Sequence, residues 1–106
     1  MNAIIKYYDD SRDVILPFRF EHFRISLAEM LGIEENYLSQ FSIFYYIKES
    51  IFYVTTSESY KILLDKLKNK ETTTIEIEYN NSEDKDKKNE MMRKSFLNFS
   101  KANEEL

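Results

Sequence analysis

The side chains in this sequence that are able to do chemistry are few, and their spacing limits what that chemistry is. His22 is the single histidine, set between Phe20 and Phe23. No nucleophile or orienting acid is identifiable as its partner, and general acid–base or nucleophilic work requires one within hydrogen-bond reach. It reads as a structural or surface residue. Acid pairs occur at Asp9-Asp10 and Glu34-Glu35. Both fall in turn-like segments, and neither has the further oxygen ligands of a calcium loop. A glycosidase-like pair also needs a cleft, for which a small core leaves little room. The chain has no cysteine, hence no disulfide framework, thiolate ligand or thiol nucleophile. Gly32 is the one glycine, which removes phosphate-cradling loops and dinucleotide fingerprints. No catalytic residue, metal or cofactor is expected. What remains is recognition by charge. Lys6 lies in the run Ala3-Ile4-Ile5-Lys6-Tyr7-Tyr8, where its stem can follow apolar neighbours and its ammonium reach the surface. There it offers a point charge to an acidic surface on a partner protein. Arg12 and Arg19, near the ends of the next extended segment, extend that basic surface.

Bulk properties narrow the setting. The chain has 106 residues, 42% of them hydrophobic and 15% aromatic, enough for one domain with a real core. Its formal net charge of −4 gives no field for nucleic acid or anionic lipid. No apolar stretch approaches the roughly 18 residues of a membrane span. The start Met1-Asn2-Ala3-Ile4-Ile5-Lys6 lacks the charged segment and apolar run of a leader, so a cytoplasmic location is expected.

The elements that must position Lys6 follow from periodicity. Charge divides the chain at about Tyr79: residues 1–79 hold nine Lys/Arg against thirteen Asp/Glu, and residues 80–106 six of each. The stretch Asn80–Asn89 has no apolar residue and reads as a solvated linker. Before it, Ala3–Tyr8 suits a strand, Asp9–Arg12 a turn, and Val14–Leu16 a second strand that ends at Pro17. Phe20, Phe23, Leu27, Met30 and Leu31 form the stripe of an amphipathic helix that Gly32 stops. Phe41–Ile47 and Ile51–Thr55 read as strands. Thr55 and Glu58 stand at capping-box spacing before a second helix striped by Tyr60, Leu63, Leu64 and Leu67. Thr72–Tyr79 alternates as a last strand. The predicted order is β-β-α-β-β-α-β: an α+β fold with a mixed sheet packed on one main helix, the succession of the ubiquitin-like β-grasp.

Within that group residues 1–79 resemble the Phox-and-Bem-type (PB-one) interaction domain. The likeness rests on Ala3–Tyr8 as the first strand with its lysine and on Phe20-Glu21-His22-Phe23-Arg24-Ile25-Ser26-Leu27-Ala28-Glu29-Met30-Leu31-Gly32-Ile33 as the first helix. Phe41–Tyr46 and Val54–Glu58 complete it as the third strand and the entry to the second helix. Such domains pair front to back, a first-strand lysine against an acidic hairpin after the third strand. The resemblance implies that Lys6 is that lysine and that the partner is a protein with an acidic surface, including another domain of this type. Where the acidic hairpin would be, this chain has Lys48-Glu49-Ser50-Ile51, so pairing of that kind uses the basic face alone. A Ras-binding-like or DIX-like β-grasp domain is the alternative within the fold.

The aromatics carry a further expectation. Tyr7, Tyr8, Phe44, Tyr46, Phe52 and Tyr53 cannot all face one core, because strand side chains alternate between faces. Some must form an outer patch, bare or covered by the C-terminal tail. In that tail Met92, Phe96 and Phe99 recur at helical spacing, with Met91 and Leu97 alongside, so residues 89–103 read as an amphipathic helix. That helix either folds back or joins copies into a homo-oligomer. The sequence thus points to a non-catalytic adaptor or scaffold domain gripping its partner through Lys6, with a self-assembling structural module as the second reading.

Overall fold

The computed structural model describes residues 1–80 and 90–98. Strand β1 (Asn2–Tyr7) turns tightly into β2 (Asp10–Ile15), and helix α1 (Phe20–Leu31) follows. A 3-10 turn (Glu35–Gln40) leads to β3 (Phe41–Ile47) and β4 (Ser50–Tyr53), then helix α2 (Ser57–Lys68) and β5 (Thr74–Tyr79). Residues 90–98 form a third helix, α3. The strands make one mixed sheet in the order β2-β1-β5-β3-β4. β1 and β5 are parallel at its centre, and the other pairs are antiparallel.

Alternation gives the sheet two unlike faces. Ala3, Ile5 and Tyr7, with Ile75, Ile77 and Tyr79, and Phe41, Ile43 and Tyr45, point to the inner face and join one buried cluster. Helix α1 adds Phe23, Leu27, Ala28, Met30 and Leu31; α2 adds Tyr60, Leu63 and Leu67; α3 adds Met92 and Phe96. The Phe23 ring stacks on Tyr60 at 4.7 Å between centroids. Each such side chain taken fully from water contributes roughly 1.5–3 kcal/mol, so the helices are held by this face more than by their own propensity.

Local chemistry explains the boundaries. Gly32 adopts φ 68°, the left-handed conformation that costs L-residues about 1–2 kcal/mol and glycine almost nothing. Its N–H donates to the Glu29 carbonyl, and that of Ile33 to Ala28, the paired pattern that closes helix C-termini. At the head of α2 the capping box uses Thr56 and Ser59, one residue beyond the Thr55/Glu58 pair expected. The Ser59 hydroxyl serves two amides there, accepting from Thr55 N–H and Thr56 N–H, each at 2.8 Å.

One further expectation needs revision. β2 begins at Asp10 rather than Val14, because the turn is confined to Tyr8-Asp9 and Tyr8 takes φ 56°. β1, which carries Lys6, lies one strand in from the sheet edge, between β2 and β5. Of the C-terminal helix expected over 89–103, residues 90–98 are helical; the remainder, and the linker beyond Asn80, lie outside the described residues.

Candidate functional site

The inner face of the sheet is covered, and α3 completes the covering over β1 and β2. Phe96 is 0% exposed and meets the Tyr7 ring edge-on at 6.0 Å. Ser95 packs against Gly32 so closely that a Cβ there would stand 2.5 Å from its Oγ, and any side chain at this position would have to displace that hydroxyl. Polar contacts fasten the rim. Arg12 points to the inner face, in register with Ile5, and its guanidinium donates to the carbonyls of Phe96 and Leu97. Arg93 reaches back to Asp10 at 3.6 Å and Asp9 at 4.0 Å, and its guanidinium lies over the Tyr8 ring. Burial, aided by the nearby Tyr8 and Tyr79 and opposed by Arg93, pushes the Tyr7 phenol far above its ordinary value.

Among the described residues no helix covers the outer face: α1, α2 and α3 bury apolar residues on the other side. One row across the sheet reads Ser11, Lys6, Glu76, Phe44 and Tyr53, from β2 to β4. On the β3–β4 half, Phe44 lies beneath Tyr46 and Tyr53, with both ring centroids 5.8 Å away. Those two rings are themselves 45% and 54% exposed, and Ile51 beside them 41%. Glu76 and Glu78, in register with Phe44 and Ser42, border this patch.

The residues singled out from sequence fall in different places. Lys6 is exposed on this outer face and forms no ion pair among the described residues. Its in-register neighbour on β5 is Glu76, so the charge around it is mixed. Arg12 faces the opposite side and is occupied by α3. Arg19 is exposed at the N-terminus of α1. The three therefore do not make one basic cluster; Lys6 stands alone on the face. Met92 and Phe96 are core residues of the chain itself, and Phe99 lies outside the described residues.

Sequence reasoning missed that Arg12 works inward. The clue was present: in a hairpin with a two-residue turn, Arg12 must pair with Ile5, which is a core position. It also left open whether the tail covers the outer aromatics. The described part of the tail covers the inner face instead.

Among the described residues no three His, Asp or Glu side chains converge as a metal site requires, and no helix is long and apolar enough to cross a membrane. The chain matches no family model, no curated protein and no solved structure.

Proposed function

We propose that this chain is a non-catalytic protein-binding module of the ubiquitin-like β-grasp kind, close in design to the Phox-and-Bem type, and that it receives its partner on the open face of the sheet. The observation that carries this reading is the contrast between faces: every described helix is spent on one side, while Tyr46, Ile51 and Tyr53 stand uncovered on the other. Lys6 supplies the charge on that face. From Lys6 on β1 to Tyr53 on β4 is three strand spacings, about 14 Å. The partner that fits brings an acidic group to the lysine and an apolar contact to the aromatics, with Glu76 between them rejecting a second acid. Hot spots of protein interfaces are typically a few such aromatic and cationic anchors. Lys6 buried against a partner carboxylate would cost about 2–5 kcal/mol on truncation, whereas a rim position would alter on-rate and salt response.

The test is a quantitative capture experiment with three full-length variants. Lys6→Glu and Tyr53→Ser change the outer face, and Lys61→Ala changes an exposed position on α2. The same captured proteins should be depleted by both face variants and retained by Lys61→Ala. Identical capture by all three would remove the outer face from the account.

A further inference from the structure

The two edges of the sheet differ in a way that points to a second copy of this chain. β2 is one edge, and three of its six residues, Asp10, Arg12 and Asp13, are charged. Charges along an edge strand discourage pairing with another chain. β4, Ser50-Ile51-Phe52-Tyr53, is the other edge. It carries no charge, and all four residues are exposed. Its hydrogen-bonding polarity follows from one contact: the Val54 N–H donates to the Ile43 carbonyl at 2.8 Å. Bonded and non-bonded pairs alternate along an antiparallel ladder. Ile43–Val54, Tyr45–Phe52 and Ile47–Ser50 are therefore the bonded pairs with β3, and the N–H and C=O groups of Ile51 and Tyr53 point away from the sheet.

We propose that β4 pairs antiparallel with β4 of a second copy, Phe52 opposite Phe52, joining the two sheets edge to edge. In this register the outward groups meet one another. Ile51 of each copy exchanges N–H···O bonds with Tyr53 of the other, and the non-bonded position falls on Phe52, whose own backbone groups are already used by β3. The flanking residues are self-complementary as well. Ser50 stands opposite Val54, Glu49 opposite Thr55 and Lys48 opposite Thr56, so no like charges are opposed. Like charges opposed across strands are what would destabilise such a pair. The two-fold axis runs normal to the sheet, which places both outer faces on the same side and merges the two patches of Tyr46, Ile51 and Tyr53 into one. This pairing uses the backbone edge of β4 and leaves Lys6, three strands away, free.

The chain has no cysteine, so a single introduced thiol reports the register cleanly. Across a non-bonded antiparallel pair the Cα atoms are about 4.5 Å apart, within the range of about 4.4–6.8 Å that a disulfide spans. Under a mild oxidant the Phe52→Cys chain should crosslink to a covalent dimer, while a Ser11→Cys chain, carrying its thiol on the charged edge, stays largely uncrosslinked. Sedimentation equilibrium of the unaltered chain supplies a second measurement that no substitution can spoil. Its mass-average should rise from 12.8 kDa toward twice that value with concentration, and the chain carrying both Ile51→Lys and Tyr53→Lys should stay at the monomer mass. A monomer mass at every concentration of the unaltered chain, or equal crosslinking of the two thiol variants, overturns the proposal.

Discussion

The β2–β1 half of the sheet and the β3–β4 half are made from similar hairpins, each closed by a two-residue turn whose first residue, Tyr8 or Lys48, takes φ 56°, yet they end in opposite conditions. On the first half α3 seals the inner face, with Phe96 on Tyr7 and with Arg12, Arg93, Asp9 and Asp10 tying its rim. The charges of that half are largely turned to internal use. On the second half the outer face holds Phe44 under two exposed tyrosines, and the edge strand bears no charge at all. On the first half Arg12, Asp9 and Asp10 are spent on holding α3, while Lys6 forms no ion pair among the described residues; on the second half apolar side chains are left exposed. Side chains free of structural duty can change without unfolding the domain.

That contrast predicts a graded set of effects. The largest follows from Phe96→Ala, which removes a fully buried ring and should cost about 3–5 kcal/mol in chemical denaturation; a cost under about 1 kcal/mol would mean that α3 does not close the core. Alkaline pH should act next. Burial raises the Tyr60 hydroxyl, which donates to the Pro17 carbonyl at 2.5 Å, from 10.0 to about 12. Its neutral form is then favoured in the folded state. The associated stability is complete below pH 10 and is lost as pH rises through the folded value, a drop on the order of 2 kcal/mol. Tyr7 shifts in the same direction through the same cause. Unfolding free energies measured from pH 8 to pH 12 check this; a flat profile would contradict it. Arg12→Met keeps the stem and deletes the donors to Phe96 and Leu97, and about 1–3 kcal/mol should be lost. Hydrogen exchange should quicken in residues 90–98 and leave β3 and β4 unchanged. Smallest is Tyr53→Ser on the open half, expected within about 0.5 kcal/mol of the unaltered chain while partner capture falls.

How far these halves could be foreseen depends on what fixes each residue. The α1 stripe from Phe20 to Leu31 and its stop at Gly32 were legible because helical spacing and a left-handed glycine are local properties. The strand of Ile75, Ile77 and Tyr79 was legible by alternation. The 3-10 turn at Glu35–Gln40 was not foreseen, having no periodic pattern to announce it. The shift of the α2 cap from Thr55 to Thr56 depended on Ser59, whose hydroxyl accepts from both Thr55 N–H and Thr56 N–H. The role of Arg12 was hidden for a different reason. Its partners, the carbonyls of Phe96 and Leu97, are more than eighty residues away in sequence. Lys6 was recognisable as a surface cation, but its neighbour Glu76 comes from the parallel pairing of β1 with β5, which no local pattern reveals. The outer aromatic patch was legible as an excess of rings; the face it occupies required the sheet order.

The most direct test of a sheet sealed on one face and open on the other is tyrosine iodination of the native chain at low concentration, read residue by residue by mass spectrometry. Tyr46 and Tyr53 should react quickly, and Tyr7, Tyr45, Tyr60 and Tyr79 should remain protected until the protein unfolds. Protection of Tyr46 and Tyr53 in the native monomer, or labelling of Tyr7 and Tyr60 at a comparable rate, would contradict the account.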